Sequence, residues 1–307
     1  MKKLILLLLF IPLISLCQEE EITLKTKTGD IKGSLLVPSS SKKASVVLII
    51  SGSGPTDRNG NNPIMINNSL MMLANELKKN GIASVRFDKR GIGESKNSGL
   101  EESDLRFENY VNDVKGWIDL LKESNRFSEI IVLGHSEGAL IGMIASQKIE
   151  VEKFISVAGA GNSAGDIIRE QLKAQPPVVL NQSLPIIEKL ENGETVENVP
   201  QMLYALFRPS VQPYMISWLK YNPQIEIAKL NKPVLIIQGT TDIQVSVSDA
   251  DKLALANKKA KKQIIEGMNH ILKEAELDRQ KNIQTYSMPD LPLKKDLIEF
   301  IVKFIKE

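Results

Sequence analysis

One serine in this chain stands where it could become a nucleophile. Gly134-His135-Ser136-Glu137-Gly138 is a G-x-S-x-G pattern, with the apolar run Ile130-Ile131-Val132-Leu133 before it and a small-residue stretch after it. A strand that turns this sharply into a helix needs glycine on both flanks. The turn then lifts the serine hydroxyl clear of the sheet edge, near a helix N-terminus. The pattern alone recurs by chance; the strand before it and the helix after it give it meaning. A serine hydroxyl is a poor nucleophile until a base takes its proton. The chain has two histidines. His135 adjoins the serine, and in such a turn its ring points away, which suits packing or loop bonding. His270, in Gly267-Met268-Asn269-His270, leaves the C-terminal end of the next-to-last regular element and is the remaining base. A base of this kind needs a carboxylate that fixes its tautomer and stabilises the imidazolium. Asp242, in Gly239-Thr240-Thr241-Asp242, follows the strand one before His270. Asp249 and Asp251 compete, but they fall at a helix start, where Asp serves as a cap. Glu266 lies on or beside a strand and is a weaker candidate.

These residues need a scaffold, and the pattern supplies one. Glu21–Thr26 and Asp30–Val37 alternate around a Gly29 turn and read as a hairpin. Ala44–Ile50 is a continuous apolar run, the signature of a strand buried on both faces. Ser51–Pro63 is a Gly-, Asn- and Pro-rich loop. Helical spacing follows over Ile66–Lys79, stopped by Asn80-Gly81, and again over Asp104–Lys122 and Gly138–Gln147. Strands are expected at Ala83–Phe87, Glu129–Leu133, Lys153–Val157, Pro233–Gln238 and Lys262–Ile265, with helices at Ser248–Ala256 and Leu291–Lys306. Strands separated by helices mean a mostly parallel sheet covered on both faces, an α/β fold. Residues 159–230 break the alternation. They read as a helical insertion between two parts of one core, 18–158 and 231–307, and carry Tyr204, Phe207, Tyr214, Trp218 and Tyr221 as lid core or pocket wall.

Composition removes other classes. The 307 residues are 42% hydrophobic and 25% charged, which is ordinary for a globular chain and excludes wholesale disorder and fibrous repeats. Aromatics at 5% argue against long stacking platforms for sugars or bases. With one Cys and two His, no Cys- or His-rich metal site can be built, no D-x-[DN]-x-[DN]-G loop is visible, and neither metal nor organic cofactor is expected. Residues 1–17 have Lys2-Lys3, an apolar core Leu4–Leu16, then Cys17, the pattern of an export signal cut before Gln18. The alternative is a lipoprotein acylated at Cys17, against which Leu16 stands where a small residue is wanted. Removing Lys2 and Lys3 from the 39 Lys+Arg leaves 37, equal to the 37 Asp+Glu. A neutral mature chain gives no electrostatic reason to bind nucleic acid, and no membrane-spanning segment is expected after cleavage. Without that cysteine, stability in an oxidising compartment must come from the core rather than from disulfides.

With these motifs in place, the sequence resembles the α/β-hydrolase superfamily, and more narrowly exported bacterial carboxylesterases of the serine-aminopeptidase-like (S33-type) group. The chain order Ser136, Asp242, His270 is that of α/β-hydrolases. Ser51-Gly52-Ser53-Gly54-Pro55-Thr56-Asp57-Arg58-Asn59-Gly60-Asn61 looks like the oxyanion loop of such esterases, and Asp88-Lys89-Arg90-Gly91-Ile92-Gly93-Glu94-Ser95 looks like their D-x-R-G-x-G-x-S stretch. The insertion falls where that group keeps a lid. The resemblance implies an acyl-enzyme mechanism, with the oxyanion held by the backbone N–H groups of Glu137 and of Ser53, or Gly54 in its place, and short-chain acyl esters are the expected substrates. It also implies bracing roles for Asp57, Arg58, Asp88 and Arg90. Ser51 replaces the histidine of common H-G loops, which argues against close kinship with H-G-G-G lipases. Peptidase or amidase activity, acyl transfer to another acceptor, and a non-catalytic binding scaffold remain the competing readings. Oligomeric state is not encoded legibly.

Overall fold

The computed structural model describes residues 19–39 and 43–307. The expected export signal and Cys17 lie outside them. In chain order the elements are β1 (Glu20–Thr26), β2 (Gly29–Leu36), β3 (Val46–Ile50), α1 (Ser69–Lys79), β4 (Ala83–Phe87), α2 (Phe107–Glu123), β5 (Ile130–His135), α3 (Glu137–Ala145) and β6 (Lys153–Val157). There follow α4 (Ala164–Leu172), α5 (Pro177–Glu191), α6 (Tyr204–Phe207), α7 (Gln212–Leu219), α8 (Pro223–Ala228), β7 (Val234–Gly239), α9 (Val247–Ala256), β8 (Lys261–Ile265), α10 (Arg279–Gln284) and α11 (Lys295–Lys306).

The strands form one sheet in the order β1-β2-β4-β3-β5-β6-β7-β8. β1 pairs antiparallel with β2, and β2 with β4; every later pair is parallel. From β3 the chain steps to β4 on one side and later to β5 on the other. The loops leaving β3 and β5 therefore diverge at the C-terminal edge, the kind of crevice where open α/β sheets bind ligands.

Burial explains why the central strands read as unbroken apolar runs. In β3, Val46, Leu48 and Ile50 face a core shared with α2, α3 and α8, while Val47 and Ile49 face one shared with α1 and α11. Full burial of one such side chain contributes roughly 1.5–3 kcal/mol. On the first face Trp117 is fully buried against Phe87, ring centroids 5.6 Å apart. The outer strand β8 instead exposes Lys261 and Lys262, charges that suit a free sheet edge.

Three helix starts lie three or more residues from expectation, each for a local reason. α1 begins at Ser69, not Ile66, because the Asn61 side chain accepts the N–H groups of Asn67 and Asn68 at 2.9 and 2.8 Å and Asn68 is left-handed (φ 57°). α2 begins at Phe107, not Asp104, because Arg106 is extended and its N–H donates to the Asn109 side chain. α11 begins at Lys295, not Leu291, since Leu293 bridges to Lys273. The short polar helix α10 was not expected. Four helices, α4 to α7, stand between β6 and the helix α8, which packs on α3 and α9. No helix among the described residues is long and apolar enough to cross a membrane.

Candidate active site

Ser136 occupies the single residue between β5 and α3, with φ 55° and ψ −123°. A non-glycine residue held there is strained, at a cost of order 1–3 kcal/mol, and such strain concentrates at functional sites. Its neighbours show why the turn needs glycine. A Cβ on Gly134 would fall 2.2 Å from the Gly138 carbonyl oxygen, and one on Gly138 would fall 2.5 Å from that of Ile50. The Ser136 N–H donates to the Val157 carbonyl, 3.0 Å. Glu137, the first residue of α3, has one of the N–H groups that a helix start leaves without an intrahelical partner.

His270 and Asp242 meet from the loops after β8 and β7. His270 Nδ1 lies 2.8 Å from Asp242 Oδ2, with both side chains buried. Gln238 Nε2 donates to the same oxygen at 2.9 Å, and the N–H groups of Gln244 and Val245 donate to Oδ1 at 2.8 and 3.0 Å. Burial alone would raise the Asp242 carboxyl. The His270 charge and these hydrogen bonds outweigh it and hold the group below the usual carboxylate range. With Nδ1 engaged, Nε2 is the His270 nitrogen left for the cavity. The competing carboxylates are occupied elsewhere: Asp249 caps α9 and binds the N–H of Gly161, Asp251 pairs with Lys262, and Glu266 is exposed.

His135 is engaged by backbone through its Nε2. Its Nε2–H donates to the His270 carbonyl oxygen, 2.7 Å away, so it braces the loop that carries the base. Burial first, and the nearby His270 charge second, push its pKa down to about 4, which keeps the ring neutral.

The loop after β3 presses on the serine. A Cβ on Gly52 would fall 3.1 Å from Ser136 Cβ. Asp57 Oδ1 accepts the N–H groups of Asn59 and Asn61, and Arg58 grips Asp88 at 2.8 and 3.1 Å while also meeting Ser34 and Glu94. Arg90 pairs with Asp113 and donates to the Ser98 carbonyl. Buried Lys89 donates to the Gly52 carbonyl at 2.5 Å and lies 3.5 Å from Glu137 Oε2. The other Glu137 oxygen accepts the Tyr214 hydroxyl, 2.6 Å.

Two cavities open at Ser136. One, about 80 Å³, runs under α4 and includes Ser53, Ser136, Leu140, Ile168, Trp218 and Val245. The other, about 290 Å³, includes Ser53, Gly54, Ser136, His270 and Tyr286. Gln244 lines both. Of the insertion's aromatics, Trp218 reaches the smaller cavity, Phe207 is buried, Tyr204 is half exposed, Tyr214 bonds Glu137, and Tyr221 bonds Glu108. A groove of about 800 Å³ between α1 and α11 shares no residue with this site. Among the described residues no three His, Cys, Asp or Glu side chains are grouped to hold a metal ion.

Ser136, Asp242, His270, Ser53, Gly54 and Glu137 thus converge on one edge of the sheet. Sequence reasoning passed over the parts that hold them. In sequence Lys89 is only one residue of a motif, Gln238 the end of a strand, and Asn269 a neighbour of the base. Asn269 donates to Thr285 (2.8 Å) and Asn282 (3.3 Å), and Asn282 donates to the Thr241 carbonyl (2.7 Å), tying the His270 loop to the Asp242 loop. The one available signal is the amide of Gln238 near the end of an apolar strand.

Sheet order, elbow and loop placement together define the α/β-hydrolase fold, and this chain has it. Residues 67–193 match the family model described as serine aminopeptidase, S33. The esterase EstD of Thermotoga maritima is 25% identical over 263 residues, which are 83% of this chain and 60% of that protein, so the chain spans less than two thirds of this relative's length. Among solved structures, Est1E of Butyrivibrio proteoclasticus with bound ferulic acid superposes with a TM-score of 0.64 at 17% identity, covering 93% of this chain and 100% of that one. The α/β-hydrolase GrgF from a Penicillium species gives 0.62 at 18% identity over 94% of this chain and 98% of its own.

Proposed function

We propose that the protein hydrolyses carboxylic esters through an acyl-enzyme formed on Ser136. Ser136 attacks the ester carbonyl as His270 Nε2 takes its proton, and Asp242 stabilises the imidazolium. The Ser53 and Glu137 N–H groups hold the oxyanion. His270 then protonates the leaving alcohol and activates a water against the acyl-enzyme. The observation that carries this reading is a strained serine where two cavities meet, one shared with an aspartate-bound histidine and the other with the residue that starts α3. The likeness to esterases supports the bond class. The smaller cavity, about 80 Å³ and walled by Leu140, Ile168 and Trp218, supports a short acyl chain. The export reading of residues 1–17 adds a site of action outside the cytoplasm, checked by the N-terminal mass of the protein recovered from cells.

Hydrolysis of p-nitrophenyl esters from acetate to decanoate tests the proposal. Turnover is expected to fall with chain length and to vanish in Ser136→Ala. Fluorophosphonate labelling of Ser136 without ester turnover would turn the reading toward peptides or amides, the bond class suggested by the S33 model. Neither labelling nor turnover would leave a binding scaffold.

A further inference from the structure

We propose that Lys89 is a positioning residue for the oxyanion hole, acting through the peptide unit between Gly52 and Ser53. This rests on the ester-hydrolase reading above. The carbonyl of Gly52 and the N–H of Ser53 belong to one planar trans amide, so they point in opposite directions. Lys89 Nζ takes the carbonyl at 2.5 Å from the buried side. The N–H is thereby turned to the other side, and Ser53 lines both cavities that open at Ser136. A charge-assisted bond to the carbonyl fixes the amide plane. It also draws electron density from the nitrogen, which makes the N–H a stronger donor.

The same ammonium reaches the second donor. Glu137, whose N–H starts α3, places its carboxylate 3.5 Å from Lys89 Nζ, and Tyr214 holds the other oxygen of that carboxylate. One buried ion pair therefore spans both backbone groups that would meet the oxyanion. Packing alone does not account for the charge, because an apolar side chain of similar length would fill this space without the desolvation cost. The side chain is 2% exposed. The titratable groups facing the ammonium are Glu137 from α3 and Tyr110 from α2, whose ring centroid is 5.2 Å away; Tyr214 from α7 reaches it through Glu137, and Asp113 beside Tyr110 is taken by Arg90. Burial lowers the Lys89 ammonium below the ordinary lysine range, and Glu137 partly restores it.

The test compares wild type, Lys89→Met and Glu137→Gln on p-nitrophenyl acetate, with a boronic acid as tetrahedral analogue. Lys89→Met is expected to lower kcat by about 10², near the lower bound for losing an oxyanion donor, with KM within about threefold. Its inhibition constant for the boronic acid should rise in step. In Glu137→Gln the ammonium loses its counter-charge and sheds its proton at lower pH. The alkaline fall of kcat should therefore begin at least one pH unit before that of wild type, with full recovery on return to neutral pH. A purely structural role would change melting temperature and leave the inhibitor-to-substrate ratio and the alkaline limb in place. Unchanged kcat and boronate affinity in Lys89→Met would overturn the proposal. Should that variant fail to fold, an unmoved alkaline limb in Glu137→Gln would overturn it instead. Wild type that neither turns over the ester nor labels with a fluorophosphonate would overturn the ester reading as well, whereas active wild type with indifferent variants removes only the role of Lys89.

Discussion

The two flanks of Ser136 are braced by different chemistry. On the Asp242–His270 side the supports are neutral amides and hydroxyls: Gln238 on the carboxylate, and Asn269, Asn282 and Thr285 between the two loops. On the Gly52 side they are buried or half-buried ions: Lys89 with Glu137, Arg58 with Asp88, Arg90 with Asp113. The difference matches the charge each flank must carry in the proposed reaction. An imidazolium forms beside Asp242, and a second buried ion there would compete for the one carboxylate. The oxyanion forms beside the Gly52 loop, where cationic support behind the backbone lowers its energy and arrives preorganised. The amide flank should therefore answer to mutation mainly through geometry and stability, and the ionic flank through the transition state.

The largest expected effect breaks the amide flank at the Asp242 carboxylate. Asp242→Asn keeps acceptors for the Gln244 and Val245 N–H groups but removes the anion opposite His270 Nδ1. Turnover of p-nitrophenyl acetate should drop by about 10⁴, with the thermal melt changed far less. A drop of less than tenfold would place the working carboxylate elsewhere. Next in size is an acid effect from His135. Its folded pKa of about 4 lies below the ordinary value of 6.5, so the unfolded chain binds the extra proton first. Stability is fully present above pH 6.5 and is lost as pH falls through 4, by about 3 kcal/mol in total. Urea unfolding of His135→Gln should lack this slope between pH 4 and 6.5. Parallel curves for the two proteins would show that the ring's burial is not what sets acid sensitivity.

How much of this was legible depends on whether a residue's role is set by its neighbours in sequence or in space. β3, β5 and β7 could be read because strands buried on both faces are apolar throughout, and the strand order then brings Asp242 and His270 to one edge. With two histidines in the chain, the base was nearly forced. The start of α1 was not readable, because an asparagine side chain several residues upstream accepts the N–H groups of the two residues just before the helix. α10 has no apolar stripe in its six residues to announce it. Lys89 was illegible for a stronger reason. Its carbonyl partner is 37 residues away and its counter-ion is on another strand's helix, so nothing local distinguishes it from a solvated charge.

A smaller effect separates the flanks directly. Asn282→Ala leaves the Thr241 carbonyl and the Asn269 amide short of a partner, which should cost about 1–3 kcal/mol of stability. If the amide flank acts through geometry, kcat should fall together with stability, and boronate affinity should fall no further than affinity for a ground-state ester analogue. The contrast is with Lys89→Met, where transition-state affinity alone should fall. Matching signatures from the two variants would erase the distinction between the flanks.

The smallest effect concerns the wall between them. Trp218 lines the cavity of about 80 Å³ and packs against Phe107, with centroids 6.5 Å apart and rings nearly parallel. Removing the indole in Trp218→Ala lengthens that cavity without touching Ser136, His270 or the Gly52 loop. One methylene in an apolar pocket is worth about 1–3 kcal/mol, so the ratio of kcat/KM for hexanoate over acetate should rise by about tenfold or more. A ratio taken on one enzyme sample does not depend on the fraction folded, which matters because losing a packed indole also weakens the fold. If acetate turnover falls while the ratio stays fixed, Trp218 serves only as packing and the acyl chain lies on the other side of Gln244, in the cavity of about 290 Å³ beside the Gly52 loop.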